Sequence, residues 1–203
     1  MLPAKIYAQI RKLMEQAVNT LADYTKEWLL ESINEGASYQ FHLFYGHKES
    51  PDGTVTDSCF SQWFPADFEI EGINYKTAEH FMMAEKARLF QDQEALSDIL
   101  ACATPREAKA LGRKVRGFDD QVWHERRFGI VVRANQAKFS QNEGFKQRLQ
   151  STAPKVLVEA SPRDRIWGIG MGQSNIDAHN PQKWRGRNLL GFALTKVRDE
   201  MTP

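Results

Sequence analysis

The feature that most constrains the fold is a change of hydrophobic period at Gly36. Before this position, apolar residues recur every three or four positions, which is typical of one face of an amphipathic helix. The residues of this stripe are Ile6, Ile10, Leu13, Ala17, Leu21, Tyr24 and Trp28. Pro3 suits a first helical turn and Gly36 a helix end, so a helix is predicted over residues 3–35. The stripe favours packing of this helix onto its own domain, and a partner-binding surface is the alternative.

Beyond that glycine the period becomes two, as in a half-buried strand. The residues at alternate positions are Tyr39, Phe41, Leu43 and Tyr45. After a polar loop, residues 68–75 are predicted to form a hairpin that turns at Glu71 and Gly72. Residues 155–160 (KVLVEA) predict a further short, apolar strand.

Residues with capping side chains mark the starts of the helices. Thr77 is a good N-cap for the helix that follows it. Residues 104–107 (TPRE) combine a capping box with a proline at the first helical position. Asp119 or Asp120 caps the next helix, and a closing helix follows Asn188. Strands cluster early and helices dominate the middle, so the predicted class is α+β, helix-rich with a small sheet.

Length and composition predict one globular domain with an N-terminal extension. A chain of 203 residues can form one substantial core, and we divide it into a helical extension, residues 1–36, and a domain, residues 37–203. No apolar run approaches the roughly 20 residues needed to cross a bilayer. The N-terminus lacks the pattern of a secretory signal, and the two cysteines show no metal or redox spacing. We therefore expect a cytoplasmic protein without a membrane partner.

The charge pattern argues against strong attraction to polyanions. A net charge of +1 indicates no whole-molecule attraction to nucleic acid or anionic lipid. Basic residues nevertheless cluster at residues 106–116, 126–133 and 163–187. Each cluster is typical of a solvated surface, and a phosphate site is the alternative, because arginine offers bidentate geometry.

Signatures of metal and nucleophilic catalysis are missing from the sequence. The histidines have no paired spacing and no cysteine joins them, so neither a metal nor a cofactor is expected. No GxSxG or Cys-His signature occurs. The glycine-rich segment at residues 167–172 leads into an irregular stretch and not a helix, so it predicts a structural turn and not a dinucleotide loop.

Two acidic residues are the candidates for chemistry. Glu79 lies in the first helical turn after Thr77, where the helix dipole favours its ionised form; plain charge complementarity is the alternative. Asp164 follows a buried strand, where functional residues often lie, although an aspartate that forms its own turn is the alternative. Trp123 and Trp167 are typical of core residues, with stacking on a base as the functional alternative.

A series of short motifs runs in order from about Phe41 to Met201. They are Phe44-Tyr45-Gly46-His47, Phe60-Ser61, Thr77-Ala78-Glu79-His80-Phe81-Met82, Lys86-Ala87, Pro105 with Ala108-Lys109, Gly112-Arg113, Trp123, Ala137-Lys138-Phe139, Leu157-Val158-Glu159, Asp164, Trp167-Gly168 and Gly186-Arg187-Asn188-Leu189-Leu190-Gly191. In the order and spacing of these motifs the sequence resembles the NADAR family, the YbiA-like proteins. One motif departs from the family pattern, because Gln62 stands where the family's Phe-Ser-Asn-Phe has asparagine.

The resemblance implies an α+β fold without a metal and an N-glycosidase that breaks the bond between C1′ of ribose and a nitrogen. Two substrates are associated with such proteins. One is a phosphoribosylamino-pyrimidine intermediate of riboflavin synthesis. The other is ADP-ribose attached to guanine, which makes nucleic acid a partner only as a substrate.

The resemblance also implies the residues of the site. Glu79 and Asp164 are the expected catalytic acids. The expected substrate-binding residues are Trp123, Trp167, Lys86, Arg113, Asn188 and Tyr45. A carboxylate near C1′ gains interaction as positive charge develops there during departure of the base. The alternative is a non-catalytic module that binds ADP-ribose or NAD in the same pocket.

Overall fold

The computed structural model describes residues 24–201. The helices in this part are α1 (Lys26–Asn34), α2 (Ala78–Leu89), α3 (Gln93–Ala101), α4 (Pro105–Gly112), α5 (Asp120–Gln141), α6 (Glu143–Gln150) and α7 (Leu189–Met201). The strands are β1 (Phe41–Phe44), β2 (Phe68–Ile70), β3 (Ile73–Tyr75) and β4 (Val156–Glu159). The predicted α+β class with a majority of helix is confirmed. None of the helices between residues 24 and 201 is both long and apolar enough to cross a lipid bilayer.

The strands form two small sheets. β2 and β3 make the predicted antiparallel hairpin. Its turn residues Glu71 and Gly72 have φ values of 54° and 76°, the left-handed region that a tight two-residue hairpin turn requires. β1 pairs with β4 in parallel, with Phe44 opposite Glu159. Both strands of this second sheet therefore end at the same edge.

β4 is buried on both faces. Leu157 belongs to a large hydrophobic cluster that also includes apolar side chains of α2, α5 and α7. Val156 and Val158 belong to a second cluster, together with Trp184 and Phe192. The carboxyl end of β4 is therefore held inside the molecule, where a polar side chain meets little water.

α1 is shorter than the helix predicted over residues 3–35. Its N-cap is Thr25, which has an extended backbone (φ −125°, ψ 163°). The Thr25 hydroxyl accepts a hydrogen bond from the backbone N–H of Trp28 at 3.1 Å. A continuous helix through this position is therefore wrong, because an N-cap residue begins a helix and is not inside one.

The rest of the N-terminal prediction falls on residues 1–23, which lie outside the described part of the chain. Within α1, Leu29 is fully buried in the second hydrophobic cluster. Gly36 follows the helix with φ at 99°, as expected near a helix C-terminus. The division into residues 1–36 and 37–203 stays a prediction.

The other helices begin where the sequence predicts. Thr77 Oγ1 accepts the backbone N–H of His80 at 3.3 Å and so fixes the first turn of α2. Thr104 and Glu107 form both bonds of the capping box at the start of α4. Asp119 caps α5. These local bonds determine the direction in which the side chains of each first turn project.

Candidate active site

A cavity of about 1180 Å³ lies at the carboxyl ends of β1 and β4. Tyr45 lines it after β1, and Asp164 and Trp167 line it after β4. Glu79 from the first turn of α2 and Lys109 from α4 also line it. The carboxyl edge of parallel strands is a common place for a ligand, because the loops that leave the strands diverge there. The structure thus brings together four of the eight predicted site residues.

Glu79 is held rigidly in this cavity. Its backbone N–H donates to the carbonyl oxygen of Gln62 at 3.0 Å, which ties α2 to the preceding turn. Only 3% of Glu79 is exposed, and its Oε1 has no hydrogen-bond partner within residues 24–201. A buried carboxyl oxygen without a partner is costly, so this atom is available for a ligand.

The surroundings of Glu79 change its acidity. Burial raises the pKa of its carboxyl from 4.5 to about 7. The charge of Lys109 and a hydrogen bond from the Trp63 side chain lower this pKa, and the charge of Asp164 raises it. Loss of water therefore outweighs the helix dipole, and Glu79 is ionised only in part near neutral pH, less than its place at the helix end predicts.

Glu159 is a second acid in the same cavity, half-buried with its Oε2 atom enclosed, and sequence reasoning did not select it. Burial, with the charges of Asp164 and Glu79 adding to it, raises its pKa to about 8, although Lys109 acts in the opposite direction. Its Oε2 also lacks a hydrogen-bond partner in the described part of the chain. Because ionisation of either glutamate disfavours ionisation of the other, near neutral pH one of them retains a proton.

Asp164 combines the two roles considered for it. Its Oδ1 accepts the backbone N–H groups of Ile166 at 2.8 Å and Trp167 at 2.7 Å, so it builds its own turn. The half-buried side chain also lines the cavity. Its charge acts on Glu79 and on Glu159, which places it near both acids.

Three aromatic side chains line the cavity: Tyr45, Trp63 and Trp167. The Trp63 ring lies 5.5 Å from Lys109 Nζ and 5.5 Å from the His47 ring. Flat, partly exposed rings of this kind suit a nucleobase or the face of a sugar.

Two predicted binding residues, Lys86 and Trp123, lie elsewhere. Lys86 Nζ donates to the carbonyl oxygen of Gly112 at 2.8 Å and lies 4.1 Å from the centre of the Phe118 ring. Trp123 belongs to the large hydrophobic cluster, with Lys86 Nζ 5.6 Å from its ring centre. Neither residue lines the cavity, because each already serves the packing of α5 against α2 and α4.

Arg113 and Asn188 are also outside the cavity wall. Arg113 is exposed at the end of α4, and its charge lowers the pKa of Glu79. Asn188 is fully buried, and both ends of its amide are used by the backbone of β4. Its Oδ1 accepts from Glu159 N and its Nδ2 donates to Leu157 O, each at 2.9 Å. The structure thus places Asn188 as a residue that positions Glu159.

The glycine-rich segment after β4 is structural, as the sequence predicts. A Cβ atom on Gly168 would lie 2.8 Å from the carbonyl oxygen of Glu159. Only glycine allows this close approach, which brings the segment against the end of β4. The segment does not open a helix.

Trp63, Lys109 and Glu159 are among the cavity residues that sequence reasoning did not select. Each stands inside or next to a motif that was noticed, and Glu159 is the acid that ends an apolar strand. Within residues 24–201, histidine, cysteine and acidic side chains form no group of three that a metal ion would require.

Comparisons with known proteins agree on one family. The model of the NADAR domain matches residues 43–202. The N-glycosidase R617 of Acanthamoeba polyphaga mimivirus is 40% identical over 166 residues, which cover 79% of this chain and 96% of that protein. The chloroplastic riboflavin biosynthesis protein PYRR of Zea mays is 30% identical over 155 residues, 70% of this chain and 23% of that protein.

A solved structure has the same fold. The NMR structure of the E. coli protein YbiA superposes with a TM-score of 0.64 at 24% identity, covering 81% of this chain and 86% of that one.

Proposed function

This chain belongs to the NADAR domain family and is an N-glycosidase, and we propose that it hydrolyses the bond between C1′ of a phosphorylated ribose and a base nitrogen. The reaction takes place in the cavity that holds Glu79, Glu159 and Asp164. The observation that carries this proposal is the pair of glutamates that line one cavity, each with an enclosed carboxyl oxygen that has no partner within residues 24–201.

The two glutamates suit different tasks. Departure of a base leaves positive charge on C1′, and a fixed carboxylate beside it stabilises that charge. Glu79 is the carboxylate, because the charges of Lys109 and Arg113 both favour its ionised form, whereas Lys109 alone does so for Glu159. Glu159 keeps its proton to higher pH and donates it to the leaving nitrogen, as a general acid does.

The bonds and protons balance as follows. The C1′–N bond breaks, its electron pair stays on the nitrogen, and the nitrogen takes the proton of Glu159, so the base leaves as a neutral N–H compound. The oxygen of a water molecule forms the new bond to C1′, and the water's proton passes to Glu79. Asp164, next to both acids, orients this water or the ribose hydroxyls. Proton exchange with solvent restores the starting state.

The remaining walls of the cavity suit the rest of the substrate. Trp63, Trp167 and Tyr45 offer stacking surfaces for the base. Arg163 and Lys48 also line the cavity and form no ion pair within residues 24–201, so they are available for a phosphate. In this proposal Arg163 and Lys48 bind the substrate's phosphate in place of Arg113 and Lys86, which the resemblance implies as binding residues.

Two substrates contain the required bond. The plant relative is named a riboflavin biosynthesis protein, which supports a phosphoribosylamino-pyrimidine. ADP-ribose attached to guanine offers the same C1′–N bond with a larger group on the ribose. In both substrates the ribose and base alone are smaller than this cavity, whose volume is about 1180 Å³.

A side-by-side assay tests the proposal. The purified protein is offered a phosphoribosylamino-pyrimidine and an ADP-ribosylated guanosine oligonucleotide, and release of each sugar and base is followed by mass spectrometry. We expect hydrolysis of one substrate, and a loss of at least about 100-fold in kcat for Glu79→Gln and for Glu159→Gln. The matched control is Glu69→Gln on the exposed side of β2.

Circular dichroism and thermal unfolding confirm that each variant is folded. Calorimetry with ADP-ribose separates catalysis from binding alone. Tight binding without release of product by the wild-type protein, or unchanged turnover in folded Glu79→Gln, would refute the mechanism.

A further inference from the structure

A second cavity, of about 710 Å³, lies next to the first. Residues 124–130 of α5 and the segment leading into α7 line it. Leu189 lines this second cavity, whereas its neighbour Leu190 lines the cavity of Glu79. The two cavities are therefore adjacent but separate, and the proposed reaction makes no use of the second.

Three basic side chains converge in the second cavity. Arg127 Nη2 donates to Nδ1 of His124 at 2.9 Å. Arg187 Nη1 lies 3.4 Å from each nitrogen of the same imidazole ring. Neither guanidinium forms an ion pair with a carboxylate among residues 24–201. Two positive charges thus flank one ring without a negative partner.

Arg127 is the unusual member of this group. Only 7% of it is exposed, and its Nε donor has no acceptor in the described part of the chain. Burial, with the nearby charge of Arg187 adding to it, lowers its pKa, and the charges of Asp120 and Asp164 offset this only in part. A buried charge without a partner carries a large desolvation penalty. A ligand that carries the missing negative charge would remove this cost.

The acids of the second cavity do not supply that charge. Glu85 is paired with Arg88 and, at 3.6 Å, with Arg133. Glu125 is exposed and accepts a hydrogen bond from Gln121 at 3.2 Å. The unmet donors of Arg127 and Arg187 therefore remain available to a ligand.

We propose that Arg127, Arg187 and His124 form a binding site for a phosphate group, separate from the cavity in which the N-glycosidic bond is broken. Guanidinium groups bind phosphate oxygens in a planar, bidentate geometry that ammonium groups cannot reproduce. The phosphate belongs either to a distal part of the substrate or to a second phosphorylated compound. Asp164 acts electrostatically on both Arg127 and Glu79, so the two cavities are close enough for one extended substrate to reach both.

Inorganic phosphate is the probe for this site. We expect phosphate to raise the thermal midpoint of the wild-type protein and of Arg185→Ala, relative to chloride at equal ionic strength. Arg185 is an exposed arginine two residues from Arg187 that lines neither cavity, so it controls for general charge. Arg187→Ala and Arg127→Met are expected to bind phosphate at least about tenfold more weakly, as loss of a charged hydrogen bond predicts.

Stability without phosphate gives an independent readout. Arg127→Met removes an uncompensated buried charge and keeps the apolar stem, so its midpoint in phosphate-free buffer is expected to equal or exceed that of the wild type. If this variant does not fold, the exposed Arg187→Ala decides the question. An equal phosphate shift in Arg187→Ala and Arg185→Ala would overturn the proposal.

Two further measurements separate the sources of the phosphate and keep this site distinct from the catalytic one. Glu79→Gln should retain the full phosphate shift, because binding here does not need turnover. If Arg187→Ala raises KM for the substrate about tenfold or more, the group belongs to the substrate. If Arg187→Ala weakens phosphate binding and leaves KM unchanged, the group belongs to a second compound.

Discussion

Asn135 Nδ2 donates a hydrogen bond to Oε1 of Gln62 at 3.0 Å, and this bond decides which way the Gln62 amide faces. The same Nδ2 group donates to the carbonyl oxygen of Val131 at 2.8 Å, so the Asn135 amide itself cannot turn over without losing that bond. Gln62 is left with an Nε2 donor that has no acceptor within residues 24–201, on a side chain that lines the Glu79 cavity. This donor stands where the family pattern has the shorter asparagine.

We expect Gln62 Nε2 to donate to an acceptor atom of the substrate. Gln62→Met preserves the length of the side chain and removes the donor, so kcat/KM should fall about tenfold while the fold persists. Gln62→Asn keeps an amide, so its kcat/KM should fall less than that of Gln62→Met. Steady-state kinetics of the three proteins check this, and equal kcat/KM in the wild type and Gln62→Met would exclude a contact with substrate.

The raised pKa of Glu79 predicts a pH-dependent cost in stability. Between pH 4.5 and about 7 the unfolded chain releases the Glu79 proton while the folded protein keeps it. The stability of the wild type therefore falls across this window relative to Glu79→Gln, which has no proton to lose. The advantage of the variant should be small at pH 4 and reach about 3 kcal/mol by pH 8. Urea unfolding at both pH values measures it, with Glu69→Gln as control. The same advantage at pH 4 and pH 8 would contradict the buried, raised pKa.

The proposed mechanism predicts the pH profile and its response to Lys109. Activity needs Glu79 ionised and Glu159 protonated, so kcat/KM should be greatest between about pH 7 and 8. Lys109 lowers the pKa of both acids. Lys109→Met should therefore shift both limbs of the profile towards alkaline pH by about one unit. The exposed Lys114→Met is the control, and a profile for Lys109→Met that coincides with that of the wild type would argue against the electrostatic role.

The parts of the fold that the sequence predicts are those that depend on near neighbours. Thr77 caps α2 through a bond three residues away, and this alone places Glu79 in a first helical turn. The hairpin at Glu71 and Gly72 likewise depends on its own turn. The helix predicted over residues 3–35 rests on periodicity and on Pro3 and Gly36 at its ends, and none of these detects that Thr25 is extended.

The parts that the sequence does not predict depend on distant segments. Glu159 is an acid of the site only because β4 pairs with β1, far away in sequence, and is then covered on both faces. The same pairing brings Asp164 close to Glu79. Burial then raises the pKa of Glu79 by more than the helix dipole lowers it. Lys86 and Trp123 have residue types that suit a phosphate and a base, but packing against Gly112 and the core uses them elsewhere.

Asn188 gives a final test, because it joins the fold to the chemistry. Its amide accepts from Glu159 N and donates to Leu157 O, and its φ of 57° is a conformation that glycine adopts without strain. Asn188→Gly therefore removes only the amide and should lower the free energy of unfolding by about 2 to 4 kcal/mol, since two buried backbone groups lose their partners. Asn188→Ala should lower the free energy of unfolding by about 1 kcal/mol more than Asn188→Gly does, because the Cβ of alanine disfavours positive φ.

Both Asn188 variants also release the backbone that carries the Glu159 carboxyl. We expect kcat to fall more than KM rises, because proton donation to the leaving nitrogen depends on the position of that carboxyl. Urea unfolding and steady-state kinetics at a temperature where all variants remain folded measure the two effects separately. If Asn188→Gly loses stability and retains full kcat, then Glu159 holds its place without Asn188, and this residue serves the fold alone.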